Sequence, residues 1–306
     1  MKISLFIPTL NAGEIWSELV NSINSQRFSM NEKLIIDSGS QDKTVQIAKK
    51  NGFEVINISK NEFNHGGTRN KAIESLKDND VIIFLTQDVI LANNYSLENL
   101  IKPFEDPEVA CVYGRQLPHK NANPLAIHAR LYNYPNESLI KDASLIPKIG
   151  FKVSHISNAF AAYRTSVFRE VGTFPTDVII AEDTYLASLI IKAGLKIVYA
   201  ADAEVFHSHN YSPIEEFKRY FDTGVFHKQN AWIRTEFGEP DGEGLRYIKK
   251  ELNYILKHNL FWLIPAVFSN GMKWLGFKLG QNYNFLPRIL LKPFSMHKNY
   301  WNKNFN

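Results

Sequence analysis

The chain has 306 residues, 44% hydrophobic and 22% charged, with a formal net charge of +4. This composition excludes a disordered or low-complexity chain and suits one large α/β domain with an appendage, or two modest domains. The single cysteine, Cys111, excludes an intrachain disulfide and suits a reducing compartment.

Strand and helix patterns alternate through the first half of the chain. ISLFIP predicts a first strand rather than a signal peptide, and amphipathic EIWSELVNSINSQ predicts a first helix. KLIIDSGS and EVINIS predict two further strands, separated by the helix KTVQIAKKNG. FNHGGTRN predicts a loop before a helix at residues 71–76, and VIIFL predicts a buried strand. This order predicts an α/β fold with a doubly wound, mostly parallel sheet flanked by helices.

The second half is less regular. VACVYGRQ and SNAFAAYR predict strands, AEDTYLASLIIKAG predicts a helix that ends at Gly194, and KIVYAADAEVFHSH predicts a strand or strand pair. Beyond residue 211 aromatic helical segments dominate, and GEPDGEG at residues 238–244 is the candidate hinge between them. We therefore expect a nucleotide-binding unit over residues 1–210 and an aromatic, basic, helical C-terminal region over residues 211–306.

Small polar residues follow the second predicted strand, which ends at Asp37. A carboxylate there can accept the imide N–H of uracil or thymine, while Ser38, Gly39 and Ser40 let a ring approach the backbone. On this segment alone ordinary turn formation is the favoured explanation, because Asp, Ser and Gly populate turns for local reasons.

Two further segments could contact a diphosphate. Gly66, Gly67 and Arg69 precede a predicted helix, where backbone N–H groups and a guanidinium bind phosphate, although Arg69 could instead form a surface ion pair. Asp88 follows a buried strand, where α/β sheets bind ligands. It is either a working group such as a metal ligand or merely the polar residue that ends the strand.

Glu182 and Asp183 are adjacent carboxylates at a predicted helix start. One of them could deprotonate an acceptor hydroxyl, but acids in a first turn also stabilise the helix dipole without catalysis. His207 and His209 could bind a metal if they converge with Asp88, or could simply end a strand. Nucleotide-sugar transfer requires a pocket for the nucleobase, a cation at the diphosphate and a carboxylate that accepts the proton of the acceptor hydroxyl.

These segments, in this order, resemble the family 2 glycosyltransferases of the GT-A fold over roughly residues 1–210. The similar motifs are FIPTLNAGE, IDSGSQDKT, HGGTRN, FLTQDV and AED. The resemblance implies that Asp37 binds the pyrimidine, Asp88 binds a metal–diphosphate with Mg²⁺ or Mn²⁺, and Asp183 is the catalytic base, supported by Glu182. The nucleotide-binding residues that it implies are Pro8, Thr9, Asn11, Asp37, Ser38, Ser40, Gly66, Gly67, Arg69 and Gln87.

The sequence departs from the family pattern at Thr86 and Gln87. Thr86 replaces the first carboxylate of the family's Asp-x-Asp motif, so Asp88 alone remains. We expect His207 to be the additional metal ligand, with His209 second. Metal binding should be weak without nucleotide and tighter with it.

A narrower resemblance is to bacterial rhamnosyltransferases, through YGRQLP, SNAFAAYR, AEDTYLA and VFHSHNYS as well as FNHGGTRN and FLTQDV. It implies transfer of L-rhamnose from dTDP-L-rhamnose, with inversion, to a lipid-linked glycan in O-antigen or capsule assembly. A transferase for another nucleotide sugar is one alternative. A non-catalytic, nucleotide-binding assembly protein is another, favoured by the loss of the first carboxylate at Thr86.

The C-terminal segment is basic. Residues 252–306 contain seven Lys or Arg and no Asp or Glu, so the preceding residues carry a net negative charge. Their apolar segment LFWLIPAVF is too short to span a bilayer, which needs ~20 residues. The region is predicted either to contact a membrane or acceptor, or to form a helical cap or homodimer surface. No nucleic-acid motif is present, and a cytoplasmic enzyme, peripheral at the inner membrane face, is expected.

Overall fold

The computed structural model describes residues 1–238 and 242–303, and within them nine strands form one sheet of order β3-β2-β1-β4-β8-β6-β9-β5. Strand β7 also pairs with β9. The strands are β1 (Ile3–Thr9), β2 (Glu32–Asp37), β3 (Glu54–Asn57), β4 (Val81–Leu85), β5 (Ile90–Leu91), β6 (Val109–Leu117), β7 (Leu139–Lys141), β8 (Phe160–Arg164) and β9 (Lys196–Phe206).

The sheet has a parallel half and a mixed half. Strands β1 to β4 pair in parallel, as predicted, so their carboxyl ends lie at one edge. In the other half β8 runs antiparallel between β4 and β6, whereas β6 and β9 are parallel. KIVYAADAEVFHSH forms one long strand, β9, with β5 and β7 antiparallel to it. The α/β prediction is confirmed, with a sheet that is mixed as a whole.

Helices flank the sheet and make up the C-terminal region. They are α1 (Ile15–Asn24), α2 (Thr44–Lys50), α3 (His65–Ser75), α4 (Ser96–Ile101), α5 (Pro124–Asn133), α6 (Ile146–Ile149), α7 (Thr165–Glu170), α8 (Glu182–Lys192), α9 (Pro213–Gln229), α10 (Ala231–Phe237), α11 (Glu243–His258), α12 (Leu263–Gln281), α13 (Arg288–Phe294) and α14 (Lys298–Lys303). Short 3₁₀ turns lie at Lys102–Glu105, Ala143–Leu145, Gly150–Ser154, Leu260–Trp262 and Tyr283–Phe285.

Helix α3 begins earlier than predicted. HGGTRN is not a loop but its first turns, because the Asn64 side chain caps the helix by accepting the N–H of Gly67 at 2.8 Å. Gly66 is required by packing, since a Cβ there would lie 1.9 Å from the carbonyl oxygen of Pro175. The cap and this close approach outweigh the poor helix propensity of two glycines.

Alternating side chains of the central strands fill two cores. Phe6 of β1 packs in one core with Phe84 and Tyr163, while its neighbour Leu5 packs in the other with Trp16. Several residues of the C-terminal helices belong to the first core, including Phe221, Phe226, Leu291 and Trp301. The C-terminal region is therefore packed on the sheet unit. The division into residues 1–210 and 211–306 stays a prediction.

The C-terminal helices are held by close packing and buried polar contacts. Helix α12 lies against α9 with glycine at the contact, since a Cβ on Gly224 would lie 2.4 Å from the oxygen of Phe277. Glu251 of α11 is buried, and accepts a 2.5 Å hydrogen bond from Asn270 of α12. The candidate hinge lies between α10 and α11, and its residues 239–241 lie outside the described part. None of the described helices is both long and apolar enough to cross a membrane.

Candidate active site

Asp37 organises the loop that follows β2. Its carboxylate is 1% exposed and accepts hydrogen bonds from the hydroxyls of Thr9, at 2.9 Å, and Ser40, at 2.5 Å. The backbone N–H groups of Gly39 and Ser40 donate to its other oxygen at 3.0 and 2.8 Å. Each oxygen thus already accepts two bonds. The observed role of Asp37 is to hold the loop in shape. Its contact with a pyrimidine stays a prediction.

The loop after β1 is joined to the neighbouring strand ends. Asn11 has a φ of 45°, rare for a residue other than glycine, and its N–H donates to Ser40 Oγ at 2.8 Å. Ser38 donates its hydroxyl to the carbonyl of Thr9 at 3.0 Å, and Pro8 lies within β1, opposite Ile36 of β2.

Gln87 extends the pairing of β1 with β4. Its Oε1 accepts the N–H of Leu10 at 2.8 Å, and its Nε2 donates to the Leu10 carbonyl at 3.1 Å. This amide pair fixes the β1 loop beside Asp88. The amide oxygen and nitrogen of Gln87, which the family resemblance assigns to nucleotide binding, both form hydrogen bonds with Leu10.

Arg69 and Glu182 form a buried ion pair between the starts of α3 and α8. Arg69 Nη1 lies 2.6 Å from Glu182 Oε1, and both side chains are at least nine-tenths buried. Burial opposes ionisation of Glu182, but the charges of Arg69 and His65, with a backbone hydrogen bond, together lower the carboxyl pKa. Arg69 also donates to the carbonyl of His65 at 3.1 Å. The alternative prediction, a surface ion pair, is correct that Arg69 pairs with a carboxylate but wrong about its position, because the pair is buried.

Asp183 is half-buried in the first turn of α8. The backbone N–H groups of Thr184 and Asn158 donate to its carboxylate at 2.7 and 3.2 Å. Burial, and then the neighbouring charge of Glu182, raise the pKa of Asp183 to about 6. The preceding Ala181 has a φ of 63°, a strained conformation for a residue with a Cβ. A carboxylate with such a pKa can accept a proton near neutral pH.

Asp88, His207 and His209 converge as the sequence suggested. One potential ligand atom from each lies within 4.8 Å of the others, and both imidazole Nε2 atoms are 3.5 Å from Asp88 Oδ2. Burial opposes ionisation of Asp88, but hydrogen bonding and charge from His207 hold its pKa well below the usual value. Burial lowers the pKa of His209 to about 4, so its ring is neutral at pH 7, the form that binds metal.

Gln116 orients the histidine side of this cluster. Its Oε1 lies 2.8 Å from His207 Nδ1 and also accepts from the Arg130 guanidinium. Its Nε2 donates to the Ser157 hydroxyl at 2.9 Å. The sequence motif YGRQLP contains Gln116, but it indicates no role for that residue, and no sequence motif indicates a role for Arg130.

The same contacts approach the candidate base. Ser157, which accepts from Gln116, directly precedes Asn158, whose N–H donates to Asp183. The Tyr163 hydroxyl donates to Asn158 Oδ1 at 2.7 Å and fixes that side chain. The segment SNAFAAYR therefore connects the cluster of Asp88, His207 and His209 to Asp183. No short-range sequence pattern indicates this connection.

The C-terminal segment also reaches this edge of the sheet. The His297 ring packs edge-on against His65 at the start of α3, with centroids 5.3 Å apart. Its backbone N–H donates to Asp222 of α9 at 3.1 Å. No sequence motif indicates a role for His297, which lies far along the chain from the family motifs.

The profile of the family described as "Glycosyl transferase family 2" matches residues 4–172. The chain belongs to glycosyl transferase family 2. It is an enzyme, a glycosyltransferase. The alternative of a non-catalytic nucleotide-binding protein, which Thr86 favoured, is not supported. It is 50% identical to the O-antigen chain rhamnosyltransferase RfbN of Salmonella typhimurium, covering 99% of this chain and 96% of the relative. It is 49% identical to the O-antigen chain rhamnosyltransferase WbaN of Salmonella anatum, covering 98% and 95%.

Solved structures support the GT-A fold of this glycosyltransferase. The mannosyltransferase PcManGT of Pyrobaculum calidifontis, in complex with GDP-Man and Mn²⁺, aligns with a TM-score of 0.57 at 16% identity, covering 98% of this chain and 84% of that one. TarS residues 1–349 of S. aureus, in complex with UDP-GlcNAc, aligns with a TM-score of 0.54 at 15% identity, covering 93% and 91%. At these identities the likeness concerns the fold alone.

Proposed function

We propose that this glycosyltransferase transfers L-rhamnose from dTDP-L-rhamnose, with inversion, to a hydroxyl of a lipid-linked glycan during surface polysaccharide synthesis. The donor sugar is supported by two relatives named as O-antigen chain rhamnosyltransferases, each matched over nearly its whole length. The observation that carries the chemistry is the half-buried Asp183 carboxylate, whose pKa is raised to about 6.

In this proposal Asp183 removes the proton of the acceptor hydroxyl. The acceptor oxygen then forms a bond to the anomeric carbon on the face opposite the nucleotide, and the bond from that carbon to the diphosphate oxygen breaks. One displacement of this kind inverts the configuration. Glu182 acts as a positioning residue, because its bond to Arg69 keeps it charged, and that charge helps to raise the pKa of Asp183.

The Asp88 cluster fits a divalent cation. One carboxylate and two imidazoles lie close enough to share an ion, and Gln116 presents the Nε2 lone pair of His207 to it. Two nitrogen ligands suit Mn²⁺ better than Mg²⁺, which prefers oxygen ligands. When bound, the ion would neutralise negative charge on the departing nucleoside diphosphate. Asp88, His207 and His209 would hold it.

A donor screen tests the proposed reaction. Purified enzyme is incubated with a lipid-linked acceptor and a panel of nucleotide sugars, and free nucleoside diphosphate is measured. We expect release from dTDP-L-rhamnose that depends on the acceptor and is lost in Asp183→Asn. Transfer with a different donor would replace the rhamnosyl assignment. Undiminished transfer by Asp183→Asn would remove the assigned base.

Calorimetric titration with Mn²⁺, in the presence and absence of dTDP, tests the cation site. We expect weak binding to the free enzyme and tighter binding with dTDP, because nucleotide oxygens complete the coordination shell. Asp88→Ala should lose both. Tight metal binding by Asp88→Ala would place the ion elsewhere.

The lipid-linked acceptor also supports a peripheral position at the inner face of the cytoplasmic membrane. The basic charge of residues 252–306 favours contact with anionic lipid. A homodimer is the competing use of the same region.

A further inference from the structure

Helix α12 turns its small residues inward and its large apolar residues outward. A Cβ on Gly276 would lie 2.3 Å from the oxygen of Phe217, and one on Gly280 would lie 2.0 Å from the oxygen of Phe221. These contacts against α9 determine which side of α12 is buried. Lys273, on the buried side, lies 3.5 Å from Glu216 of α9.

The opposite side of α12 carries large apolar residues that are exposed, although residues of this kind are usually buried. Phe261 is 93% exposed, Ile264 is 81% exposed and Trp274 is 64% exposed. We call this stripe the α12 face, and its residues are Leu260, Phe261, Ile264, Val267, Phe268, Trp274 and Leu275. Leu260 and Phe261 lie in the 3₁₀ turn that leads into α12. The other five share one side of the helix, because four of them follow the fifth, Ile264, by three, four, ten and eleven residues at 3.6 residues per turn. The stripe extends over about 20 Å at ~1.5 Å per residue. Exposed stripes of this kind mark interaction surfaces.

The chain segment that carries the α12 face, residues 252–306, has charged residues of one sign. Exposed Lys257 and Lys278 lie near the two ends of the α12 face along the chain, and no Asp or Glu occurs from residue 252 onward. Exposed Phe285 and Ile289 follow along the chain, together with exposed Lys292. Apolar side chains bordered by cations, with an exposed Trp, match the interface of an anionic bilayer. Two copies meeting through this face would bring like charges together, which disfavours a dimer there.

We propose that the α12 face is a membrane-docking surface that lies in the headgroup region of an anionic bilayer, with α12 parallel to the membrane plane. The orientation follows from the structure, because α12 is held against α9 along its inner side. The proposal rests on the proposed function, in which the acceptor is lipid-linked. Docking would hold the enzyme on the surface where that acceptor resides.

Vesicle sedimentation of the full chain tests the proposal. The docking variant is Phe261→Ser/Ile264→Ser/Trp274→Ser, and the matched control is Leu131→Ser/Ile140→Ser/Ile214→Ser, which removes three exposed apolar side chains elsewhere. With vesicles containing phosphatidylglycerol, we expect at least a tenfold weaker partition for the docking variant and no change for the control. Binding should also weaken at high salt and with phosphatidylcholine alone.

Two results would overturn the proposal. One is equal vesicle binding by the wild type and the docking variant. The other is a wild-type dimer that becomes monomeric in the docking variant, measured by light scattering, which would assign the face to a second copy. dTDP-L-rhamnose turnover on acceptor dispersed in detergent is measured in parallel and should survive in the docking variant. Failure of turnover in the wild type would reject the proposed reaction and leave the vesicle result independent.

Discussion

The amide oxygen of Gln116 lies 2.8 Å from Nδ1 of His207. Because an amide oxygen can only accept, Nδ1 carries a proton, which leaves Nε2, 3.5 Å from Asp88, as the ring nitrogen that can bind a metal ion. Arg130 donates to the same amide oxygen and Ser157 accepts from the amide nitrogen, so the Gln116 amide has one favourable orientation. A residue outside the cluster thus sets the tautomer of a candidate metal ligand.

Replacing Gln116 should weaken metal binding without removing a ligand. We expect Gln116→Leu to lower Mn²⁺ affinity in the presence of dTDP by roughly 10- to 100-fold, as for other groups that orient a ligating histidine. Calorimetry measures the change, and Gln46→Leu on the exposed side of α2 is the control. Unchanged affinity in Gln116→Leu would mean that Gln116 does not orient a ligand of the ion.

The pH dependence of turnover should report Asp183. Burial and Glu182 raise its pKa to about 6, and a general base must be deprotonated to work. We expect kcat/KM to rise tenfold per pH unit below about pH 6 and to reach a plateau above it. Asp183→Asn should reduce kcat by roughly 10²- to 10⁴-fold. An acidic limb centred near pH 4 would indicate an ordinary, solvated carboxylate instead.

The Arg69–Glu182 pair should show a characteristic pattern of stability. Arg69→Met leaves a buried carboxylate without its partner, and we expect a loss of ~3–5 kcal/mol in the free energy of unfolding. Arg69→Met/Glu182→Leu should recover much of that stability, because no charge stays buried, but not the activity. Urea denaturation measures both variants. Lys77→Ala, which breaks the exposed pair with Glu74, should leave the free energy of unfolding nearly unchanged. Recovery of turnover in the double variant would show that the pair serves only the fold.

Lys141 should make stability depend on alkaline pH. It is 1% exposed, and burial lowers its pKa from 10.5 to about 7. Between these values the unfolded chain binds more protons than the folded chain, so stability rises with pH, by at most ~1.4 kcal/mol per unit. Lys141→Met should flatten that rise, although it removes a hydrogen bond to the His155 carbonyl and a contact with the Tyr113 ring. Urea midpoints at pH 7 and pH 9.5 measure it. An equal rise in Lys141→Met would assign the dependence to another group.

The sequence predicted well those features that repeat locally. Continuous apolar runs located the parallel strands, and their common direction brought Asp37 and Asp88 to one edge of the sheet. The start of α3 was wrong by six residues, because a capping side chain and the approach of Pro175 to Gly66 are not local patterns.

The bonding partners of the site residues could not be predicted in the same way. Arg69 meets Glu182 across 113 residues, and His207 meets Gln116 across 91. Such distances in the chain carry no periodic signal. The sequence motifs therefore indicated chemistry, such as a carboxylate base and a histidine ligand, without indicating which group orients each.

The sequence by itself determined the fold class, the family motifs and the positive charge of the C-terminal region, because these depend on composition and on short-range order. Only the tertiary structure decided that Arg69 is committed to Glu182, that Gln116 sets the His207 tautomer, and that the apolar side of α12 faces outward. The physical reason is packing. The spacing of apolar residues shows that a helix has an apolar side, but the close contact of Gly276 and Gly280 with α9 determines the direction in which that side points.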